Sequence, residues 1–509
     1  MVVMMITIFS LILIAFSYRM ICSVKGYNKL QEEINHFNSI RAHTCSENVL
    51  YILLPCHKEQ SIVEETLSYF WDLVKNESNV VLIAITGEAE TIDKRANIDR
   101  IHALIDNWWA KFNQELFYQT NNGVFPLSYY NNIELIRLKS LSFSDFKNKI
   151  VDLYQGIPST NQLIQQWQGE HVEDRVILLH DCNPHSNKSS KINYALHFLL
   201  ERHDVNSSIN LGTTYLAVYD FDSRPHEATF KWFNWKVNQL NLNDEALPAV
   251  FQQIPHQLGS QIQQISKNSL SFSTAIWHLE RTLGIEAYLL YSNIWKSKFI
   301  RGCMGAGIFI NMQQLKEMHG VPEHNDDISF GYRLDVIGKS RCSIPFPNYS
   351  QPTPSTFNKV RQYKRIYSAV FSAGLELEWS KKFFPKYVEK NGRMRIISTY
   401  INDNFHVFRF ISFLLLIILT LCSKFYFLGA MLISVSFLSY WLTYKSYLNF
   451  ANRLLSLGNY PPLRPSIFAR LVSVFSYDVF KVIILTHFLC SMYIKKDTIT
   501  TISIDKTDR

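Results

Sequence analysis

The sequence predicts an α/β protein with a mostly parallel sheet and with transmembrane helices at both ends. Three observations lead to this prediction. Short apolar runs rich in β-branched residues alternate with helical periodicity between residues 49 and 220. Residues 2–21 are nearly all apolar and are long enough to cross a bilayer. Further apolar segments follow at about 405–422, 425–444 and 467–492.

The composition narrows the class of partner. Among 509 residues there are 51 Lys and Arg against 43 Asp and Glu, a net charge of +8. This modest excess is typical of proteins that touch anionic lipid or nucleotides, and we expect no nucleic-acid partner. The eight cysteines form no Cys-x-x-Cys pair, so neither a disulfide framework nor a zinc site is predicted.

Residues 1–23 are predicted to form an N-terminal transmembrane anchor. Arg19 closes the apolar run, and Lys25 and Lys29 follow it. The alternative is a cleaved signal peptide, for which Ala15-Phe16-Ser17 offers a cleavage site. The lack of a basic stretch before the apolar run favours the retained anchor.

Residues 47–370 are predicted to form one soluble α/β domain. A strand at 49–55 ends at Pro55, and a helix at 61–73 begins with the capping box Ser61 and Glu64. A second strand follows at 80–85. Strand, helix and strand with short links form a βαβ unit, so the two strands are expected to be parallel.

The segment from about 100 to 170 is predicted to be an insertion that packs on the sheet. It is rich in Asn, Gln and aromatic residues, with one plausible strand at 133–138 and no chemistry of its own. The alternation resumes with a strand at 175–180, a helix at 191–201 and a strand that ends at Asp220. Another strand is predicted at 249–253, and a helix at 271–291.

The C-terminal part is predicted to lie on and in a membrane. Residues 371–404, where Lys381 and Lys382 neighbour Trp379 and Phe383, are typical of interfacial helices. Residues 405–494 contain two or three spans, and 495–509 form a polar tail. If the α/β domain is cytosolic, the basic loop 445–470 is cytosolic as well, which agrees with the positive-inside rule. Asp478 and Lys481 either pair with each other or mark an interfacial segment.

Asp220 and Asp222 are the strongest candidate site residues. They follow an apolar run, one residue apart, where a strand gives way to a loop. Since residues i and i+2 of a pleated strand face the same side, both carboxylates are expected to converge on one Mg²⁺ or Mn²⁺ ion. The alternative is a solvated loop after a strand.

Other candidate motifs lie along the chain in a fixed order. Asp326 and Asp327 precede a predicted helix that extends to residue 336, so they can also serve as a simple helix cap. The four histidines near the motifs have no ligand spacing and are interpreted as structural or peripheral. The motifs besides Asp220 and Asp222 are Pro55-Cys56-His57-Lys58-Glu59, Lys188 with Asn193, Ala195 and Leu196, Gly305 and Gly307, and Asp326-Asp327.

In the order and spacing of these motifs, the chain resembles the membrane-bound family 2 glycosyltransferases. This inverting group has a GT-A fold and includes cellulose, chitin and hyaluronan synthases and ceramide glucosyltransferases. The resemblance covers about residues 48–370 and extends to the flanking spans. It implies a multi-pass protein of the bacterial inner membrane with a cytosolic catalytic domain. That domain would transfer sugar from a UDP- or GDP-sugar to a membrane lipid or glycan acceptor, with Mg²⁺ or Mn²⁺ as cofactor.

The resemblance also implies roles for individual residues. Asp327, beside Asp326, matches the general base, and Asp220 and Asp222 match the pair that binds metal and diphosphate. Residues that match donor-binding positions are Pro55, Glu59, Lys188, Gln362 and Arg365.

Two departures from the family pattern leave alternatives open. Glu88 is predicted to bind the donor in place of the usual acidic residue after the second strand, so the choice between UDP and GDP stays open. Ile366 replaces the Trp of processive synthases, which favours single-sugar transfer over a polysaccharide synthase that exports its product. A silent nucleotide-sugar-binding scaffold subunit is the third alternative. The chain has neither a Gly-rich dinucleotide fingerprint nor a P-loop.

Overall fold

The computed structural model describes most of the chain outside residues 96–141 and the C-terminal tail. The described ranges are 1–40, 48–92, 142–156, 158–171, 174–205, 210–256, 269–287, 305–323, 326–350, 373–386, 405–465 and 478–486, with a few single residues between them.

Eight strands are present in the described ranges. They are β1 (Leu50–Pro55), β2 (Val80–Gly87), β3 (Val176–Asp181), β4 (Tyr215–Val218), β5 (Arg224–Pro225), β6 (Val250–His256), β7 (Ile308–Asn311) and β8 (Arg341–Tyr349).

Twelve α-helices have bounds within the same ranges. They are α1 (Val2–Ser39), α2 (Val63–Val74), α3 (Phe143–Gly156), α4 (Thr160–Glu170), α5 (Lys188–Val205), α6 (Thr229–Leu242), α7 (Ser269–Arg281), α8 (Met312–Glu317), α9 (Ile328–Val336), α10 (Ala373–Phe383), α11 (Phe405–Leu421) and α12 (Tyr426–Leu457). Two 3₁₀ turns, Gln60–Ile62 and Leu211–Thr213, and a π-helical turn, Thr282–Ala287, complete the set.

The chain divides into two compact units. The smaller unit contains Val49–Ile209 and Val218–Asp222. The larger unit contains Met1–Asn48, Asn210–Ala217 and Ser223–Ile504. The chain therefore passes from one unit to the other within β4.

The smaller unit contains three parallel strands in the order β3-β2-β1. Leu50 pairs with Val80 and Leu82 pairs with Val176 in register. Strand β1 is almost fully buried, which explains its continuous apolar sequence. The predicted α/β class, the βαβ unit and the mostly parallel sheet are confirmed, whereas the GT-A assignment stays a prediction.

The predicted capping box at Ser61 is wrong. Residues Gln60–Ile62 form a 3₁₀ turn, and α2 begins only at Val63, without a side-chain cap. Glu64 and Glu65 lie in the first turn of α2, where negative charge interacts favourably with the helix dipole. The helix starts two residues later than predicted because the loop after β1 makes a tighter turn first.

The end of the predicted insertion packs on the sheet, as expected. Helix α4 lies against α2, β2 and β3, and the indole Nε1 of Trp167 donates to the Ser68 hydroxyl at 3.1 Å. A capping box formed by Ser159 and Gln162 fixes the start of α4. The predicted strand at 133–138 lies outside the described residues.

The larger unit contains a mixed sheet in the order β4-β7-β6-β8-β5. Strand β6 pairs in parallel with β8 and antiparallel with β7, while β5 pairs antiparallel with β8. A register shift between Gln253 and Ile254 bends β6 beside β8.

Apolar helices form the second part of the larger unit. Helix α1 has 38 residues, so it extends well past the predicted anchor at 1–23, and it packs against α11, α12 and the π-helical turn. Helices α1 and α12 are long and apolar enough to cross a membrane, by length and composition alone. Helix α12 continues to Leu457, so the predicted loop at 445–470 is helical in its first half, which corrects that prediction.

The helical part of the larger unit contains a buried charge cluster around Arg409. The guanidinium donates to both carboxylate oxygens of Asp478, at 2.9 and 2.8 Å, and the hydroxyl of Tyr440 donates to the same carboxylate at 2.9 Å. Phe16 and Trp277 place their rings 4.7 and 4.8 Å from the guanidinium carbon. Arg409 is thus a partner of Asp478. The two alternatives for Asp478 and Lys481, a mutual pair or an interfacial segment, stay predictions.

We expect Gly307 to be intolerant of a side chain. Its φ is +73°, and an added Cβ would lie 2.8 Å from the Cβ of Gln253, whose buried amide donates to Thr229 and Pro347. Gly307→Ala should lower the free energy of unfolding by about 2–5 kcal/mol, since a left-handed residue costs about 1–2 kcal/mol and an overpacked contact about 1–3 kcal/mol. Gly338→Ala is the matched control, because its φ is +74° but no atom lies within 4 Å of the added Cβ. Equal losses in the two variants, measured by chemical denaturation, would contradict the contact with Gln253.

We also expect His256 to make stability depend on pH. Burial lowers the pKa of its imidazole to about 4, with a backbone contact to the Ala451 carbonyl opposing the shift. Between this value and the usual value of about 6.5, the unfolded chain binds the proton and the folded chain does not, so stability rises with pH. The slope should approach about 1.4 kcal/mol per pH unit. The variant His256→Gln lacks this titrating group, so its free energy of unfolding should depend less on pH than that of the wild type. Identical slopes in the two proteins would refute the prediction.

Candidate functional site

The candidate site of the smaller unit lies where its parallel strands end. Parallel strands bring their carboxyl ends to one edge of a sheet, and ligands of open α/β sheets bind outside that edge. Here the edge carries Pro55 at the end of β1, Gly87 and Glu88 at the end of β2, and Asp181 at the end of β3. The predicted donor-binding residues Pro55 and Glu88 therefore share one edge.

Asp220 and Asp222 lie in a turn beyond β4. The strand ends at Val218, so both aspartates follow it in a loop, as predicted, but they are not part of the pleated strand. Their convergence on one ion stays a prediction. Tyr219 still donates its backbone N–H to the Leu53 carbonyl at 3.0 Å, and the chain then turns. Tyr219 and Phe221 are buried at 0% and 2% exposure, whereas both aspartates are half-buried. The turn thus buries the two aromatic side chains and leaves both carboxylates accessible. We call residues 219–222 the acidic turn.

Lys188 and Asp220 lie together. The Lys188 ammonium is 2.7 Å from Oδ1 of Asp220, with the two side chains 14% and 29% exposed. Helix α5 begins at Lys188, as the resemblance implies for a lysine that opens a helix. A half-buried pair of this kind contributes little to stability, so its significance is that it places a cation beside the acidic turn.

Glu90 is a residue of this region that sequence reasoning missed. It is 6% exposed and accepts hydrogen bonds from the backbone N–H of Lys58 at 3.2 Å, from the Gln60 amide at 2.9 Å and from the backbone N–H of Thr160 at 2.8 Å. Glu59 in turn donates its backbone N–H to the Thr160 hydroxyl at 3.1 Å. Glu90 therefore joins the loop after β1, which carries Glu59, to the start of α4. No sequence spacing indicates this role, because its partners are 30 to 70 residues away.

Lys191 is a second buried charge near the strand ends. Its ammonium donates to the Cys56 carbonyl, just after β1, and its side chain is 2% exposed. Burial lowers the pKa of Lys191, while Cys56, Glu90 and Asp181 oppose the shift. A Cβ on Gly87 would lie 2.9 Å from Cε of this lysine. Glycine at the end of β2 thus makes room for Lys191.

Asp326 and Asp327 belong to the larger unit, at the start of α9. Oδ1 of Asp327 accepts the backbone N–H of Ile328 at 2.7 Å, and Asp327 is the N-cap of this helix. Its backbone carbonyl also accepts from Cys303 and Gly331. The capping interpretation of Asp327 is confirmed, and its role as a general base stays a prediction. Both side chains are half-buried.

The remaining predictions concern donor binding by Gln362 and Arg365 and the binding of a divalent metal ion. Gln362 and Arg365 lie outside the described residues. Within the described ranges, no group of three or more His, Cys, Asp or Glu residues could hold a metal ion by itself. Mg²⁺ and Mn²⁺ need few protein ligands when substrate phosphates and water complete their shell, so the two accessible carboxylates of the acidic turn fit such an ion.

The chain is similar to a solved structure of a known protein. No protein-family model matches the chain, and no curated protein matches it. Among solved structures, the chain is similar to the mannosyltransferase PcManGT from Pyrobaculum calidifontis, which was solved in complex with GDP-Man and Mn²⁺. The identity is 9%, the similarity covers 95% of this chain and 99% of that chain, and the TM-score is 0.45.

We expect Thr66 to hold the acidic turn in place. Its fully buried hydroxyl, on α2, donates to the carbonyl of Phe221, between the two aspartates, at 2.9 Å. Thr66→Val preserves the shape but removes this donor, and should lower the free energy of unfolding by about 1–3 kcal/mol. Thr66→Ser retains the hydroxyl and should lose less. A valine variant as stable as the wild type, and more stable than the serine variant, would show that this hydrogen bond does not secure the turn.

Proposed function

We propose that this protein is a membrane-associated, inverting, metal-dependent glycosyltransferase of the family 2 type. The observation that carries the proposal is the acidic turn with Asp220 and Asp222, which lies next to Lys188 in a unit built on parallel strands. The order of the motifs along the chain supports it independently, since each matches one position of that family.

The acidic turn and Lys188 are the groups that would bind the diphosphate of the donor. Breaking the anomeric bond of a nucleotide-diphosphate sugar leaves negative charge on the diphosphate, and nearby cations stabilise that charge. Asp220 and Asp222 would hold Mg²⁺ or Mn²⁺, which when bound supplies a Lewis acid for the diphosphate oxygens. The Lys188 ammonium lies beside the same turn and adds a second positive charge. We assign Gln362 and Arg365 to the same donor-binding role.

Asp327 is proposed as the general base. The acceptor hydroxyl must lose a proton as it attacks the anomeric carbon, and a positioned carboxylate contributes about 10²–10⁴-fold to such a step. Asp327 is half-buried and is fixed at the start of α9 by its bond to the Ile328 N–H. A fixed carboxylate of this kind satisfies the requirement for a base of defined position.

The acceptor is proposed to be a membrane lipid or a glycan attached to the membrane. The two long apolar helices, α1 and α12, support this assignment, because they fit an enzyme that works at a bilayer. We favour addition of a single sugar over processive synthesis, on the basis of Ile366 in place of Trp. We also propose that the α/β domain is cytosolic.

A catalytically silent scaffold that binds nucleotide sugar is the second candidate. It is favoured by the observation that two of the acidic residues have structural partners. Asp220 forms an ion pair with Lys188, and Asp327 caps a helix.

The variant Asp327→Asn separates the two functions. Asn is as good an N-cap as Asp, so α9 and the thermal stability should be unchanged. A missing base should lower the rate of transfer about 10²–10⁴-fold, with nucleotide binding retained. The measurement is release of UDP or GDP and labelling of lipid by the purified chain in lipid nanodiscs, with a panel of nucleotide sugars and Mg²⁺ or Mn²⁺.

Asp222→Ala is the matched variant for the donor site. It should weaken nucleotide-sugar binding and transfer together, because the diphosphate would lose its metal. Full transfer by Asp327→Asn would remove Asp327 from the catalytic machinery. Nucleotide binding without turnover from any donor, in the wild type, would favour the scaffold.

A further inference from the structure

Helices α9 and α10 of the larger unit pack face to face beside Asp327. Five apolar side chains, each between 1% and 7% exposed, form the contact. They are Ile328, Tyr332 and Val336 on one face of α9, and Ala373 and Leu377 on α10. Ile328 is also the residue whose backbone N–H donates to the Asp327 carboxylate at 2.7 Å. Helix α10 therefore packs against the residue that holds Asp327.

An ion pair joins the same two helices. Nε of Arg333, on α9, donates to Oε2 of Glu376, on α10, at 2.6 Å, and the two side chains are 13% and 10% exposed. The guanidinium carbon of Arg333 also lies 3.8 Å from the ring centroid of Trp379. Glu376 and Trp379 are three residues apart and so lie on one side of α10. We call Arg333, Glu376 and Trp379 the helix clamp.

The helix clamp resists both separation and rotation of α9. Pulling the two helices apart would leave a guanidinium and a carboxylate unpaired and poorly hydrated, which is strongly unfavourable. A planar guanidinium that pairs with a carboxylate and stacks on a ring also allows little change in the angle of its helix. The clamp therefore fixes the orientation of α9 as well as its distance from α10.

Helix α9 is anchored a second time near its C-terminal end. Asp335 pairs with Arg341 of β8, and both side chains are 2% exposed. The helix is thus fixed to α10 along its side and to β8 near its end. Groups carried by such rigid elements have better defined positions than groups on loops. Asp327 is the N-cap of this fixed helix.

We propose that Arg333 and Glu376 are positioning residues for Asp327. Through α9 they set the place at which the Asp327 carboxylate meets the acceptor hydroxyl, and they touch neither the donor nor the acceptor. The inference rests on the proposed function, in which Asp327 is the general base. A base must lie within about 2.6–3.2 Å of the oxygen whose proton it takes, and a shift of about 1 Å can cost about 10²-fold in rate. The helix clamp therefore acts on the transfer step and not on the binding of the nucleotide sugar.

The variant Glu376→Gln tests the helix clamp, because it retains the size of the side chain and a hydrogen-bond acceptor but removes the charge. The assay is transfer by the purified full chain in lipid nanodiscs, with Mn²⁺ and a panel of UDP- and GDP-sugars. The kcat should fall about 10- to 100-fold, while the KM for the nucleotide sugar stays within about two-fold of the wild type. Arg333→Lys retains the ion pair but not the planar stack, so its kcat should fall less than that of Arg333→Gln.

Glu378→Gln is the matched control on the same helix. Glu378 pairs with Lys381 at 2.7 Å, and the two side chains are 66% and 42% exposed. The substitution makes the same chemical change two residues away from Glu376, on a pair that water screens. Its kcat and KM should equal those of the wild type.

A double-mutant cycle shows whether Glu376 acts through Asp327. With Asp327→Asn the base is absent, so its position no longer matters. Adding Glu376→Gln to Asp327→Asn should therefore cause less than about two-fold further loss of transfer. A residue that only stabilises the fold would change the concentration of nucleotide-binding sites, titrated with UDP or GDP and Mn²⁺, and not the rate per site.

The outcomes distinguish this inference from the proposed function. An unchanged kcat per site in Glu376→Gln, a loss confined to KM, an equal loss in Glu378→Gln, or losses that multiply in the double variant would overturn the positioning role. The proposed function would stand in each of these cases as long as Asp327→Asn by itself abolishes transfer. Full transfer by Asp327→Asn, or no transfer from any donor by the wild type, would overturn both.

Discussion

The smaller unit depends on the parallel pairing of β1, β2 and β3. Parallel strands cannot be joined by a tight turn, so each crossover must carry a helix, and all three strands must end at the same edge. Strands β1 and β2 are nearly buried, β3 is about half buried, and polar side chains appear only towards the ends of the three strands. This constraint gathers Glu59, Glu88, His180 and Asp181 at one edge, although they are spread over more than 120 residues of sequence.

Buried charges fix the loops at this edge. Moving a charged group out of water is costly, and it is tolerated only when the group has close hydrogen-bonding partners. Glu90 meets this condition with three donors, and Lys191 meets it through the Cys56 carbonyl and nearby carboxylates. Glu90 joins the loop after β1 to the start of α4, and Lys191 joins the end of β1 to α5. The same principle holds in the larger unit, where Arg409 links α11 to the helical residues around Asp478 among aromatic rings.

Several candidate residues have both a structural and a functional interpretation. Asp327 is the N-cap of α9, and a capping carboxylate is also a carboxylate of fixed position. Asp220 pairs with Lys188, and the same pair sets a cation beside the turn that is proposed to bind diphosphate. The functional role of such a residue can be tested only by a substitution that preserves its structural role and removes its functional one. Asn at position 327 meets that condition, because it caps a helix and cannot take a proton at neutral pH.

The sequence by itself determined the α/β class, the βαβ unit, the strands β1, β2, β3, β4 and β6 and the apolar helices, because these follow from local periodicity and propensity. Strands β5, β7 and β8 were not predicted. The sequence also singled out Asp220, Asp222, Lys188 and Asp327. Tertiary structure alone decided that the Thr66 hydroxyl binds the Phe221 carbonyl between the two aspartates, and that Asp478 is bound by Arg409. It also decided that Glu90 joins the loop after β1 to the start of α4. Those features depend on hydrogen bonds between residues far apart in the chain, for which no local pattern exists.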